Sequence, residues 1–161
     1  MTAVKIIYRY LQGTNYNGLV FNTSKKLVLD CYADAYFAGI WGHQNTQDYI
    51  FVSSRTGFVV TFDNCPILWV SKPQTNIALS TLYSEYVELS HYVRALLPLK
   101  SLIKEVIDNS VIDSDKLRFV SRSTVYEGNG GSKVVATSPG MTPTSKKISV
   151  KYHCFRQHIG E

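Results

Sequence analysis

Residues 31–39 read C-Y-A-D-A-Y-F-A-G and close a run of strand-forming residues, L-V-L-D-C-Y-A-D, on a single carboxylate, Asp34. An ionised carboxylate at the mouth of a buried strand needs a cation or a hydrogen-bond donor to offset its desolvation. Packing does not account for it, so Asp34 is the first candidate functional residue. Working outward, G-L-V-F upstream reads as a strand joined to this one through the polar N-T-S-K-K. Downstream, T-G-F-V-V-T-F and P-I-L-W-V-S read as two more strands, with D-N-C-P as the turn between them. Trp69, inside I-L-W-V, is expected in the core.

The flanks are helical. Val4, Ile7, Tyr8 and Leu11 recur at i, i+3, i+4, i+7, with Gly13 as the C-terminal cap. Leu82, Tyr86, Leu89, Val93 and Leu96 mark one face of a long helix capped by Ser80 or Thr81. Pro98 is expected to interrupt it, and Leu102, Ile103, Val106 and Ile107 form a second amphipathic stretch. S-T-V-Y-E, residues 123–127, is a short strand, and a weak helix follows through Val134 and Val135. Ile148, Tyr152, Phe155 and Ile159 outline a C-terminal helix. The mixture is α/β.

That order places three carboxylates usefully: Asp34 at the end of one strand, Glu85 in the first turns of the long helix, and Glu127 at the end of the later strand. If the two strands lie side by side in parallel, Asp34 and Glu127 meet at the sheet edge where open α/β sheets keep their sites. Carboxylates without His or Cys ligands suit hard cations such as Mg²⁺ or Mn²⁺.

Composition narrows the class. The 161 residues, 45% apolar and 18% charged, describe a single folded domain spanning 1–161. No apolar run is long enough to span a bilayer, and Lys5 and Arg9 interrupt the N-terminal pattern, so no membrane partner is expected. Cys31, Cys65 and Cys154 are too few and too far apart for a disulfide framework, which fits an intracellular, cytoplasmic or nuclear, setting. The net charge of +5 is uneven: residues 116–161 carry eight Lys or Arg against two acids. Such a region attracts phosphates, and Lys133, Lys146, Lys147, Lys151 and Arg156 are its candidate nucleic-acid contacts. Other motifs are bland. G-N-G-G-S-K lacks phosphate-loop spacing, and His153 and His158 are off the i, i+4 spacing of a helical metal pair.

Several blocks in shared order resemble the ribonuclease H domain of copia-type retrotransposon polyproteins. A-V-K-I-I-Y-R-Y-L-Q-G-T with G-L-V-F resembles that family's lead-in, and C-Y-A-D-A-Y-F-A-G resembles its Y-S-D-A-D-W-A-G. P-I-L-W-V-S-K-P-Q-T-N-I-A-L-S-T resembles P-I-S-W-S-S-K-K-Q-x-x-V-A-L-S-S, and K-K-I-S-V-K-Y-H-C-F-R resembles T-K-H-I-D-I-x-Y-H-F-I-R. The resemblance implies a ribonuclease H-like fold, a five-stranded mixed sheet flanked by α-helices, with residues 1–14 as a connection helix from a reverse transcriptase domain. It implies two-metal hydrolysis of the RNA strand of an RNA–DNA hybrid, using Mg²⁺ or Mn²⁺.

Carried over by position, the family's first Asp falls on Asp34, and the second acid of its T-E-A-E-Y falls on Glu85, with Tyr83 in place of the first. Its third acid, an Asp, falls on Glu127, and its last falls on Ser149. The extra methylene of Glu127 moves the carboxylate by about 1.5 Å, whereas a catalytic constellation tolerates about 0.5 Å. Ser149 as a metal-site residue removes a charge outright. The expectation is therefore a hybrid-binding domain with hydrolysis impaired or lost. The alternative is a noncatalytic, repurposed nucleic-acid- or protein-binding module.

Overall fold

A computed structural model of the chain describes residues 2–22, 27–39, 52–109, 123–140, 146, 148 and 150–159. Strand β1, Leu29–Tyr36, alternates buried and exposed positions: Leu29, Cys31, Ala33 and Ala35 point into the core, while Tyr32, Asp34 and Tyr36 face out. That period of two is what a sheet with one covered face requires. β2, Arg55–Phe62, pairs antiparallel with β1, placing Asp34 opposite Gly57. β3, Cys65–Pro73, returns antiparallel to β2 through Asp63 and Asn64. Both turn residues have positive φ, 50° and 67°, the left-handed pair that matches the twist of a tight hairpin and that Asp and Asn tolerate best.

The deciding connection is β4, Thr124–Glu127, which pairs parallel with β1 in a sheet ordered β3-β2-β1-β4. Ala33 stands opposite Glu127, so the parallel pairing expected from the sequence brings the C-terminal ends of β1 and β4 together. The sheet is mixed. Among the described residues it has four strands rather than five, because G-L-V-F stays exposed and unpaired.

The core lies between this sheet and helix α2, Thr81–Asp108. Ser80 caps α2 by accepting from the Tyr83 backbone N–H at 3.2 Å. Residues 84–90 are buried all round, because α2 has the sheet on one side and the C-terminal segment on the other. Pro98 does not split the helix. It sits exposed within one continuous α2, and buried positions stop at Leu96, so the proline marks where packing ends. Helix α3, Gly130–Thr137, opens on Asn129, whose side chain accepts from the Gly131 and Ser132 N–H groups at 2.8 and 3.2 Å. The G-N-G-G stretch is thus a helix cap.

The C-terminal amphipathic pattern forms two short 3₁₀ turns, Val150–Tyr152 and Cys154–His158, in place of an α-helix. The pattern still works, since Ile148, Tyr152 and Phe155 are all buried against α2, but Ile159 stays largely exposed. One further expectation, a buried Trp69, fails. Trp69 points away from α2 and is 62% exposed, and Cys154 is exposed on its turn. Trp69, Val59, Tyr32 and Tyr126 form one row across the four strands on the open sheet face, where the Tyr32 and Tyr126 rings stack at 4.7 Å. Helix α1, Thr2–Thr14, forms as expected but buries none of its residues.

Candidate active site

The carboxylates meet at one end of the sheet. Asp34 leaves β1 on the exposed face, and Glu85 enters from the first turns of α2 with 6% of its surface exposed. Glu85 Oε2 accepts the Ala35 backbone N–H at 3.1 Å, which ties the helix to the residue after Asp34. Glu127 arrives from the parallel strand. Its Oε1 accepts the Asn129 N–H at 3.3 Å, and its Oε2 is buried without a hydrogen-bond partner. The Glu85 and Glu127 carboxyls are close enough for each to act on the other's proton affinity. Tyr83, the alternative helix position, packs its ring 6.4 Å from that of Tyr152.

A fourth acid belongs to the group, and sequence reasoning missed it. Glu88 lies one helical turn beyond Glu85 and is fully buried. Its Oε1 accepts two backbone N–H groups, from Asp34 at 3.0 Å and from Gly57 at 3.1 Å, and its Oε2 has no partner. Gly57 leaves room for this close approach, since a Cβ there would stand 3.4 Å from the Asp34 carbonyl oxygen. A signal existed: Glu88 follows Glu85 at i+3 in a segment whose neighbours are otherwise apolar or small.

Crowding acids out of water raises their proton affinity. Burial pushes Glu88 up from the ordinary 4.5 to about 8; its bond from the Asp34 N–H opposes this, and Glu127 and Glu85 add to it. Glu127 is likewise pushed up to about 8, by burial first and then by Glu85 beside it. Glu85 is raised mainly by burial. The same charges reach Cys31, whose thiol is pushed up to about 12 by burial, then by Glu88 and Glu127. It is an inert thiol rather than a nucleophile.

Among the described residues no three His, Cys, Asp or Glu side chains are arranged to hold a metal ion. The donor chemistry nevertheless fits a hard divalent cation. The oxygens come from carboxylates, two of them are buried without a partner, and burial, with the neighbouring carboxylates, raises the proton affinity of Glu88 and Glu127. Ser149 and Lys147 lie outside the described residues. Lys133, Lys146 and Lys151 are exposed and Arg156 is half-buried. Lys133 lines a cavity of about 460 Å³ that Glu127 also borders, whereas Lys151 lies over the Tyr152 ring at 4.8 Å.

Comparison with known proteins adds the context. The chain is 27% identical over 159 residues, 99% of its length, to the retrovirus-related Pol polyprotein from transposon RE1 of Arabidopsis thaliana. It is 29% identical over 164 residues, again 99% of the chain, to that from transposon TNT 1-94 of Nicotiana tabacum. Over nearly its whole length the chain is similar to transposon Pol polyproteins. It spans about a tenth of the length of each of these relatives. A shorter match, 34% identical over 88 residues, joins 55% of the chain to 56% of the secreted RxLR effector protein 161 of Plasmopara viticola. No family model matches the chain. No solved structure matches it either. No helix among the described residues is long and apolar enough to cross a membrane.

Proposed function

We propose that the chain is a retroelement-derived ribonuclease H-like domain that binds RNA–DNA hybrids and has weak or no hydrolytic activity. The observation that carries this reading is the convergence of Asp34, Glu85 and Glu127 at the shared end of two parallel strands, in a chain similar throughout to Pol polyproteins. Asp34, Glu85 and Glu127 would hold Mg²⁺ or Mn²⁺, and the metal would supply charge stabilisation and an activated water for phosphodiester hydrolysis. Glu85 holds the end of β1 through the Ala35 N–H, and Glu88 holds it through Asp34 and Gly57, so the strand end that carries Asp34 is fixed from two sides.

Two features support weak activity. Glu127 has the longer side chain where the resemblance expects Asp, and Ser149 offers no carboxylate. A second reading, a noncatalytic binding module, draws support from the raised proton affinity of Glu88 and Glu127 and from the lack of a ready-made three-ligand set among the described residues.

The test is cleavage of a labelled RNA–DNA hybrid with Mg²⁺ or Mn²⁺, comparing the chain with Asp34→Ala and with Glu127→Asp plus Ser149→Asp. Slow cleavage abolished by Asp34→Ala, and raised at least about 10-fold by the double substitution, is the expected result. Hybrid binding without cleavage in either form supports the second reading. Absence of both binding and cleavage removes the proposal.

A further inference from the structure

The cavity of about 460 Å³ that Lys133 and Glu127 border runs between α2, β4, α3 and the second 3₁₀ turn. Most of its wall is apolar: Leu89, Val93 and Leu96 come from α2, and Val125, Ala136 and Phe155 line the other sides. Its direction follows from how the helix seats on the sheet. Glu85 accepts the Ala35 N–H and Glu88 accepts the Asp34 N–H, so α2 runs back along β1, opposite to the strand. The step from Asp34 back to Asp30 covers about 13 Å of strand, the rise of about nine helical residues. Thr124, which pairs with Asp30, therefore stands about level with Leu97, and Ser123 beside the turn that carries Lys100. From Leu89, at the Glu127 end, to Lys100, at the Ser123 end, the helix rises about 16 Å.

The two ends differ in charge. Lys133 lines the cavity together with an acid, Glu127. Lys100 is half-buried, and among the described residues no carboxylate pairs with it. Ser123 lines the Lys100 end as well, and its Oγ is buried without a hydrogen-bond partner. A half-buried cation and an unsatisfied hydroxyl are both answered by a single carboxylate, which accepts a hydrogen bond from each.

We propose that this cavity binds a single-chain fatty acid, with its carboxylate at Lys100 and Ser123 and its hydrocarbon chain along Leu96, Val93 and Leu89. An extended hydrocarbon advances about 1.3 Å per carbon, so the run from Lys100 to Leu89 holds about twelve carbons. The volume is that of a small-molecule pocket, and apolar walls with a few polar groups at one end are what such pockets use to hold and orient a ligand. A nucleic-acid backbone does not suit the same walls, because phosphates gain nothing from apolar side chains. The site shares only Glu127 with the carboxylate cluster and does not depend on the hybrid-binding reading.

The experiment is a calorimetric titration of the whole chain with dodecanoate, below its micelle concentration and near neutral pH. One dodecanoate should bind per chain, and octanoate should bind at least about 10-fold more weakly, since each buried methylene is worth about a factor of four. Dodecanol, which keeps the chain and lacks the charge, should bind at least about 5-fold more weakly than dodecanoate. Lys100→Gln should remove that difference by weakening dodecanoate alone, whereas Lys104→Gln, exposed one turn further on, should change neither ligand by more than about 2-fold. Side-chain NMR shifts on titration should centre on Leu89, Val93 and Leu96. No binding of dodecanoate up to about 1 mM overturns the proposal. So does uptake of several equivalent molecules per chain, which marks surfactant adsorption. Equal affinity for the acid and the alcohol, or equal loss in the two lysine variants, overturns the assignment of the head group to Lys100. Shifts centred on α1 or on Trp69 overturn the location.

Discussion

Glu88 controls more of the site than its place in the sequence suggests. One oxygen satisfies the N–H groups of Asp34 and Gly57, so removing it strands two backbone donors at the end of the sheet. An unsatisfied buried donor costs about 1–3 kcal/mol. Glu88→Ala should therefore lower stability by about 2–4 kcal/mol in urea denaturation, whereas Glu88→Gln, which keeps an accepting oxygen, should cost less than half as much. The acid also makes stability depend on pH. Glu88 and Glu127 both rise from 4.5 in an ordinary environment to about 8 in the fold, so the folded state holds their protons where the unfolded chain has released them. Their contribution is fully present below pH 4.5 and is lost as pH rises through 8. Melting temperature should fall across that window in metal-free buffer, and Glu88→Gln should flatten about half of the fall by removing one of the two groups. A flat profile in the parent chain would contradict the buried, protonated acids.

At the level of elements, the sequence was readable wherever a local rule had no competitor. Alternation defined β1, the Asp63–Asn64 pair marked the β2–β3 turn, and Ser80 marked the start of α2, each by a mechanism confined to a few residues. Pro98 misled because its penalty is local while the cohesion of α2 comes from the packing of residues 84–96 before it. Trp69 misled for the opposite reason. Its neighbours Leu68 and Val70 face the core, and alternation sends the larger ring outward. Helix α1 has the correct period yet buries nothing, and periodicity alone does not say what a helix packs against. This last point is testable. Removing residues 1–16 deletes no core contact, so the melting temperature of the remainder should stay within about 2 °C, a shift of at most about 1 kcal/mol for a domain of this size. A larger drop would show that α1 packs on the domain in solution.

For the molecule as a whole, the legible part of the site was its topology. Parallel pairing of two strands far apart in sequence was enough to bring Asp34 and Glu127 to one edge, and the helix register added Glu85. Hidden from the sequence was the electrostatic balance, because the depth of Glu88 and the closeness of Glu85 to Glu127 depend on how α2 seats on the sheet. That balance leaves acids at the carboxylate end that hold their protons well above the ordinary carboxylate range. A divalent cation held at the carboxylate end would be bound by the folded chain alone, and mass action would turn its affinity into stability. At pH 8, where the acids are losing their protons, Mg²⁺ at about 100 times its dissociation constant should add about 2.7 kcal/mol, or roughly 5–10 °C of melting temperature. Near pH 5 the same addition should do much less, because the cation must displace protons from Glu127 and its neighbours. Asp34→Ala with Glu127→Ala should abolish the effect at both pH values, while the charge-matched Asp30→Asn with Glu105→Gln should preserve it. Thermal melts with and without Mg²⁺ at the two pH values decide the matter: a shift that survives loss of Asp34 and Glu127 would place the cation elsewhere on the molecule.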